Sequence, residues 1–206
     1  MKLQELLKGI EVIECTASPE LEISGVSADS RQVQPGGLFV AVPGFAADGH
    51  KFIPAAVKNC AAAVICEKKP QIDVPYVLTG NARRALAMAA ANWYGHPADS
   101  MTMIGVTGTN GKTTVTYLLK TVLEKTLGAK VGLIGTIQNM IGDKVLDTER
   151  TTPESIELQK LFAEMRDAGC THVVMEVSSH ALALSRVDGV HFRVGVFTNL
   201  TEDHLD

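Results

Sequence analysis

The sequence lacks the cysteine pattern of a zinc or disulfide protein. Its four cysteines, Cys15, Cys60, Cys66 and Cys170, lie far apart and form no C-x-x-C pair. Each stands among apolar or small neighbours, an environment in which a free thiol behaves as a small apolar side chain. We therefore expect four free thiols that act as small hydrophobic groups in a reduced protein.

The sequence also lacks a long apolar run. No stretch approaches the roughly 20 apolar residues that a membrane-spanning helix needs. The segment Met1 to Glu5 carries no apolar core of the kind found in a signal peptide. These absences predict a cytoplasmic protein with no segment inserted in a membrane.

Clusters of basic residues are missing as well. The chain has 19 basic and 23 acidic residues, a net charge of −4, and no run of either sign. Nucleic-acid backbones attract basic stripes, so this pattern argues against a nucleic-acid partner. An anionic ligand would have to be held by local features.

The sequence does contain enough apolar material for a folded core. Hydrophobic residues make up 46% and charged residues 20% of the 206 positions, as in globular proteins. The length exceeds that of a typical single domain. Because Pro97 cannot continue the alanine-rich helix that precedes it, we place a domain boundary near residues 96–100. This divides the chain into residues 1–98 and residues 99–206.

Strand and helix patterns alternate along the chain and predict an α/β fold. The first domain reads as a small, mixed α/β unit with apolar strands at 38–42, 62–66 and 76–78. The second domain has strands at 101–106, 131–134, 172–177 and 194–198. Their regular alternation with helices predicts a parallel sheet covered on both faces. Ligands of such sheets bind beyond the carboxyl ends of the strands.

A glycine-rich loop follows the first strand of the second domain. It consists of Gly108, Thr109, Asn110, Gly111, Lys112, Thr113 and Thr114. Glycines let successive N–H groups point into one cavity, the helix N-terminus favours an anion, and Lys112 adds charge for the β- and γ-phosphates. The loop has the G-K-T ending of a phosphate loop, although Val106 stands where the usual pattern begins with glycine. We predict that it binds ATP and that Thr113 is a magnesium ligand.

The helix after this loop has a strong apolar pattern. Its apolar residues fall on one predicted stripe: Val115, Leu118, Leu119, Val122, Leu123 and Leu127.

Two further strands of the second domain end in polar residues. Glu176 closes one strand, and a carboxylate there, beside a phosphate loop, is placed to hold a metal that bridges ATP oxygens. The segment 198–206 follows the last strand with three acidic residues and His204. Taken alone, Glu176 suits a helix N-terminus and the segment suits a solvated loop. Their shared position beside the phosphate loop favours a functional site.

The phosphate loop does not define a reaction, because kinases, ATPases and ligases all use it. A kinase or another ATPase is one alternative, although no catalytic base or lid arginine for it is identifiable. A non-catalytic nucleotide-binding module is the other.

Four ordered segments resemble the Mur ligases of peptidoglycan synthesis: GTNGKTT (108–114), TTPES (151–155), EVSSHAL (176–182) and TNLTEDHLD (198–206). The second and third are most similar to the branch that adds the third amino acid to UDP-N-acetylmuramoyl-L-alanyl-D-glutamate. The segments DSR (29–31), PGGLFVAVPG (35–44) and ADGHKF (47–52) resemble the UDP-binding domain of that family. The resemblance covers nearly the whole chain.

The resemblance implies roles for individual residues. Lys112, Glu176 and His204 would be catalytic, and Thr113, Glu176 and His204 would bind magnesium. Substrate contacts would come from two groups: Ser30 with the turn Phe45, Ala46 and Ala47 for the UDP part, and Thr151, Thr152, Ser178 and Arg186 for the muramoyl peptide.

The resemblance also implies a reaction and a domain plan. Residues 1–98 would bind the UDP-sugar, and residues 99–206 would form an incomplete ATP-binding domain. ATP would activate the D-glutamate side-chain carboxylate as an acyl phosphate, which an amino acid then attacks; we expect meso-diaminopimelate rather than L-lysine. Full-length members continue with a third domain, so we expect this chain to be a fragment that does not turn over alone. We expect a monomer at full length.

Overall fold

A computed structural model describes residues 1–44 and 47–201 of the chain. The chain divides into two compact units, Met1–Gly95 and a second unit that begins at His96. Helices α1 to α6 are Leu3–Leu6, Ile53–Lys58, Ala82–Trp93, Lys112–Leu127, Ser155–Asp167 and Ser179–Ala183. Two short 3-10 helices are Gly49–Phe52 and Pro97–Ser100. Strands β1 to β11 are Glu14–Cys15, Val26–Ser27, Leu38–Val40, Ala63–Cys66, Tyr76–Leu78, Thr102–Thr107, Val131–Ile134, Asn139–Ile141, Lys144–Leu146, His172–Glu176 and Val194–Phe197.

The first unit is built on a five-stranded sheet in the order β1-β5-β4-β3-β2. Strands β2 to β5 are parallel, and β1 joins the edge antiparallel to β5. One face packs on a core that includes Phe39, Ile53 and Val64. Helix α3 contacts β2, β3 and β4. All six of its alanines are buried, and their small side chains let the helix approach the sheet closely.

The second unit has a six-stranded sheet in the order β11-β6-β10-β7-β8-β9. Strands β11, β6, β10 and β7 are parallel. Residues from α5, including Leu158, Phe162 and Met165, form a core with Met103 and Met175 of the sheet. Helix α4 packs on strands β6, β7 and β10 of the same sheet.

The α/β class predicted from the sequence is confirmed, but the second sheet is mixed rather than parallel throughout. Strands β8 and β9 form an antiparallel hairpin that extends the sheet beyond β7. The hairpin turns at Gly142, whose φ of 59° lies in the left-handed region that favours glycine. The dipeptide Gly142-Asp143 between short apolar runs was the available signal for this turn.

The single apolar stripe predicted for α4 is wrong in part. Val115, Leu119 and Leu123 pack on the sheet. By contrast, Leu118, Val122 and Leu127 are 60%, 53% and 63% exposed. The helix therefore carries a second apolar side that lies outside the contact with the sheet.

The expectation for the cysteines is correct in two cases. All four are free; Cys66 and Cys170 are buried, whereas Cys15 and Cys60 are exposed. Burial in β4 raises the pKa of the Cys66 thiol to about 11, so this thiol stays protonated and unreactive. Each helix in the described part of the chain is too short or too polar to span a bilayer.

Candidate functional site

Of the site residues predicted for the second unit, those that the structure describes lie at one edge of the sheet. In the parallel register, Glu176 of β10 pairs with Val106 of β6, and Phe197 of β11 pairs with Thr107. Met175 of β10 pairs with Ile134, the last residue of β7. The four strands therefore end level with one another, and the segments that follow them share one edge.

The glycine-rich loop connects β6 to the N-terminus of α4. Gly108 has a φ of 125° and Gly111 a φ of 84°, values that L side chains rarely adopt. Gly111 is the N-cap of the 16-residue helix α4, and its side-chain position is open. The first turn of a helix this long directs free N–H groups and its positive dipole end at a bound anion.

Lys112 lies at the start of α4 with its side chain folded over the loop. Its Nζ donates to the carbonyl oxygens of Gly108 at 2.7 Å and Thr109 at 2.9 Å. These contacts place the ammonium group beside the loop that is predicted to bind the phosphates. Thr114, the last residue of the predicted loop, is exposed on the first turn of α4.

Glu176 is 1% exposed and lies next to Thr113. The Thr113 hydroxyl donates to Glu176 Oε1 at 2.9 Å. Thr136, which follows β7, donates its N–H to Oε1 at 3.0 Å and its hydroxyl to Oε2 at 3.2 Å. Carboxylate and hydroxyl oxygens are the ligands that magnesium prefers, so Glu176 and Thr113 fit such an ion.

The segment after β11 packs against the glycine-rich loop. Asn199 accepts the Asn110 N–H at its Oδ1 and donates its Nδ2 to the Asn110 carbonyl, both at 3.0 Å. Its own carbonyl accepts the Thr109 N–H at 3.0 Å. The Thr198 hydroxyl donates to the Asn110 carbonyl at 2.7 Å, and Thr201 exchanges hydrogen bonds with the Thr109 hydroxyl. The segment 198–201 therefore fixes the loop at Thr109 and Asn110.

The predicted muramoyl-peptide residues form a second group at the same edge. Thr151 is hydrogen-bonded through its hydroxyl to the Thr136 hydroxyl at 3.0 Å. Thr152 is 1% exposed, donates its hydroxyl to the Glu176 carbonyl at 2.9 Å and accepts the Ser178 N–H at 3.2 Å. Ser178 caps α6 by accepting the Ala181 N–H at 3.1 Å. The Thr152 hydroxyl thus joins the loop after Arg150 to the loop after Glu176, through the Glu176 carbonyl and the Ser178 N–H.

Arg186 is held against the same turn. Its Nη2 lies 2.6 Å from Glu154 Oε1, and its Nη1 donates to the Thr152 carbonyl at 3.1 Å. Its buried Nε has no hydrogen-bond partner among the described residues. A buried guanidinium N–H left without an acceptor is costly.

The predicted uridine residues belong to the first unit. Ser30 is 7% exposed, and its carbonyl accepts the Asn59 Nδ2 at 2.8 Å. It lies in a turn in which Arg31 grips both oxygens of Asp29 at 2.7 to 3.2 Å, which lowers the pKa of that carboxyl. Ala47 is exposed, and its carbonyl accepts the Gly44 N–H at 3.0 Å. Phe45 and Ala46 lie outside the described residues.

His204, the third predicted metal ligand, also lies outside the described residues. Within 1–44 and 47–201, no group of three or more His, Cys, Asp or Glu side chains is arranged to hold a metal ion. The magnesium prediction therefore depends, in the described part, on Glu176 and the Thr113 hydroxyl.

Sequence reasoning missed two residues of this edge, Gly135 and Thr136, and gave no role to Asn199 within the segment 198–206. Thr136 and Asn199 stand just past strands β7 and β11, so the rule that ligands bind beyond strand ends was the signal for them. Gly135 carried no signal, because its importance depends on how closely Glu176 approaches it.

Two family models match the chain. The model described as "Mur ligase family, catalytic domain" matches residues 22–105, and the model described as "Mur ligase middle domain" matches residues 106–206.

Proteins that are similar to this chain are named as ligases. A UDP-N-acetylmuramoyl-L-alanyl-D-glutamate–2,6-diaminopimelate ligase of Caldanaerobacter subterraneus subsp. tengcongensis is 51% identical over 208 residues, which cover 100% of this chain and 43% of the relative. A solved structure of a protein with the same enzyme name has a TM-score of 0.82 at 29% identity, over 100% of this chain and 42% of that one. The MurF ligase of Thermotoga maritima, solved in complex with ADP, has a TM-score of 0.57 at 26% identity, over 88% of this chain and 38% of that one. This chain thus spans less than half the length of these relatives.

Proposed function

The chain belongs to the Mur ligase family, and on that premise we propose that it forms the ATP-binding and UDP-substrate-binding part of an ATP-dependent ligase. The whole protein would join diaminopimelate to UDP-N-acetylmuramoyl-L-alanyl-D-glutamate for peptidoglycan synthesis. The name of the Caldanaerobacter relative supports diaminopimelate, rather than L-lysine, as the added amino acid. Because ATP and the UDP-linked precursor are soluble nucleotides, we place the reaction in the cytoplasm. That the enzyme is a monomer at full length stays a prediction.

The nucleotide part of the proposal rests on the edge formed by β6, β10, β7 and β11. The loop 108–114 and the first turn of α4 would hold the phosphates through backbone N–H groups, and Lys112 would neutralise the β- and γ-phosphates. Magnesium, held by Glu176 and Thr113 and by His204 as the resemblance implies, would supply positive charge to the transferring phosphoryl group. The single observation that carries the proposal is the hydrogen bond from Thr113 to the buried Glu176, which joins the loop to the predicted metal carboxylate.

The sugar-peptide part rests on the turn at Thr151 and Thr152. Arg186 presents a fixed guanidinium there, and a planar guanidinium recognises a carboxylate in two places. Ser178 and Thr151 would add hydroxyl contacts. In the first unit, Ser30 and the turn from Phe45 to Ala47 would bind the uridine end.

The reaction brings two anions together, so the main work of the protein is positioning and charge neutralisation. The side-chain carboxylate of the D-glutamate attacks the γ-phosphorus of ATP. The bond between the γ-phosphorus and the leaving ADP breaks, and an acyl phosphate forms. The amine of diaminopimelate then attacks the acyl carbon, phosphate leaves, and an amide remains. Lys112 would stabilise the charge on the phosphates during the first step.

The test of the nucleotide assignment is the variant Lys112→Ala. We expect ADP affinity in the presence of Mg²⁺, measured by titration calorimetry, to fall roughly 10- to 100-fold, because a charge-assisted hydrogen bond contributes about 1.5–3 kcal/mol. Affinity for UDP-muramoyl-dipeptide should change less than about twofold, a shift of about 0.4 kcal/mol.

Lys125→Ala is the matched control, because it removes the same charge from the last turn of the same helix. It should leave ADP affinity unchanged. An equal loss in both variants would attribute the effect to net charge, and full ADP affinity in Lys112→Ala would refute the assignment.

Turnover is to be assayed in a protein of the relatives' length that contains this chain. Phosphate release that requires both UDP-muramoyl-dipeptide and diaminopimelate would support the ligase. Phosphate release without either compound would favour an ATPase, and ADP formation that requires another acceptor and releases no phosphate would favour a kinase.

A further inference from the structure

Thr136 contacts both oxygens of the Glu176 carboxylate. Its backbone N–H lies 3.0 Å from Oε1, and its hydroxyl lies 3.2 Å from Oε2. Two donors from one residue define the plane of a carboxylate, whereas one donor leaves it free to rotate. The Thr113 hydroxyl occupies a second position on Oε1 at 2.9 Å. Thr136 is thus the residue that sets how Glu176 faces the glycine-rich loop.

The direction of the hydrogen bonds follows from the number of protons. A threonine hydroxyl has one proton and two lone pairs. Since Thr136 donates its proton to Glu176, the 3.0 Å hydrogen bond between the Thr136 and Thr151 hydroxyls has to be donated by Thr151. A chain of hydrogen bonds therefore runs from Thr151 through Thr136 to Glu176. Such chains strengthen their members by mutual polarisation.

Gly135 makes this arrangement sterically possible. A Cβ at position 135 would lie 2.5 Å from Glu176 Oε1 and 3.3 Å from its carboxyl carbon. Gly135 is also buried, so the side chain would have no alternative space. The close approach of β7 to Glu176 requires glycine at this position.

We propose that Thr136 is a positioning residue that orients Glu176 for the metal–nucleotide site and connects this carboxylate to Thr151 in the paired-threonine turn. The inference rests on the proposed function, because it takes Glu176 as a metal ligand and Thr151 as part of the sugar-peptide site. It adds a link between them: the hydroxyl that orients the metal carboxylate is itself held by a residue of the other substrate's site.

The variant Thr136→Val tests the orientation. Valine keeps the shape and the backbone N–H but removes the hydroxyl. With saturating ADP and Mn²⁺ as the probe, followed by electron paramagnetic resonance, we expect Mn²⁺ affinity to fall about 5- to 20-fold, as for a lost hydrogen bond to a charged group. Thr136→Ser restores the hydroxyl and should return affinity to within about twofold of the unmodified chain. If Thr136 only stabilised the fold, the loss and the rescue of Mn²⁺ affinity would be accompanied by a loss and a rescue of thermal stability. We expect thermal stability to stay constant across these variants.

Thr121→Val is the matched control. It makes the same change on α4, where the hydroxyl donates to the Tyr117 carbonyl of its own helix at 2.9 Å. Its Mn²⁺ affinity should equal that of the unmodified chain.

The connection to Thr151 is tested by a double-mutant cycle. Thr151→Val alone should weaken Mn²⁺ binding about twofold to threefold, and it should have no further effect when Thr136 is already valine, because coupled residues are not additive. Additive effects would overturn the connection.

The remaining outcomes separate the inference from the proposed function. If the unmodified chain binds no Mn²⁺ with ADP, both are overturned. If it binds, and Thr136→Val binds equally well or loses no more than Thr121→Val, the inference alone is overturned. A crystal structure of Thr136→Val with the Glu176 carboxylate in its original orientation would overturn it independently.

Discussion

Gly108 is a residue whose identity depends on two separate constraints. Its φ of 125° is one that L side chains rarely adopt. A Cβ there would also overlap the Thr198 hydroxyl and lie 2.8 Å from the Asn199 carbonyl oxygen. The glycine is therefore needed for the turn and for the close approach of the segment after β11. Sequence reasoning identified the first reason only.

We expect Gly108→Ala to weaken ADP binding at least about tenfold and to lower the free energy of unfolding by about 2 kcal/mol or more, because backbone strain adds to the steric overlap. Calorimetry and urea unfolding measure the two effects. Gly128→Ala is the control: Gly128 has a φ of 60° but open space around its side-chain position. Gly128→Ala should lower the free energy of unfolding through backbone strain but leave ADP affinity unchanged. Unaltered ADP affinity in Gly108→Ala would contradict this account.

At the scale of single elements, the carboxyl end of β4 is tied to the 3-10 helix Gly49–Phe52 by one histidine. His50 Nε2 accepts the backbone N–H groups of Glu67 at 3.0 Å and Lys68 at 3.2 Å. Its Nδ1 therefore carries the proton and donates to Asp48 Oδ1 at 2.6 Å. Asp48 also accepts the His50 backbone N–H at 3.0 Å. These hydrogen bonds lower the pKa of Asp48, and the one from the His50 side chain has the largest effect.

This arrangement predicts a pH dependence. Since the pKa of Asp48 is lower in the folded than in the unfolded chain, its contribution to stability is complete above the unfolded value of about 3.9 and is lost as pH falls below it. We expect Asp48→Asn to lower the urea midpoint of the first unit at pH 7, and the difference from the unmodified chain to shrink between pH 5 and pH 3. Trp93 fluorescence reports on this unit.

Asp73→Asn neutralises an exposed carboxylate in the same unit and should show no comparable pH-dependent difference. If the difference in urea midpoint between Asp48→Asn and the unmodified chain stays constant down to pH 3, the Asp48 carboxylate is not the source of the pH dependence.

At the scale of the whole molecule, each compact unit has a sheet made of its own strands. The first unit draws its five strands from Glu14 to Leu78 and covers them with α3. Its core residues, among them Phe39 and Val64, are fully buried. A self-contained core of this kind is what allows a domain to fold alone.

We therefore expect a protein consisting of residues 1–95 to unfold cooperatively in urea, with a free energy of unfolding of roughly 5 kcal/mol, as is typical for this length. Circular dichroism and Trp93 fluorescence should give coincident transitions. Residues 1–80, which omit α3 and leave its sheet face uncovered, should show no such transition. A gradual, non-cooperative change in residues 1–95 would show that this unit depends on the rest of the chain.

The sequence by itself determined the type and order of most elements and the location of the chemistry. Apolar runs marked β5 and β7 at their observed bounds, and the rule that ligands bind beyond parallel strands led to Glu176. These features are local: glycines that turn the backbone, apolar runs that need a core, and polar residues at strand ends are visible along a single segment.

Only the tertiary structure decided which of these groups touch. Thr136 and Glu176 are 40 residues apart, and Asn199 and Asn110 are 89 apart, so their hydrogen bonds arise from strand register rather than from local pattern. The same holds for α4, whose apolar residues were predicted as one stripe although only Val115, Leu119 and Leu123 pack on the sheet. Contacts between distant segments depend on which strands are neighbours; periodicity within one segment indicates which face of a strand is buried but not which strand lies beside it.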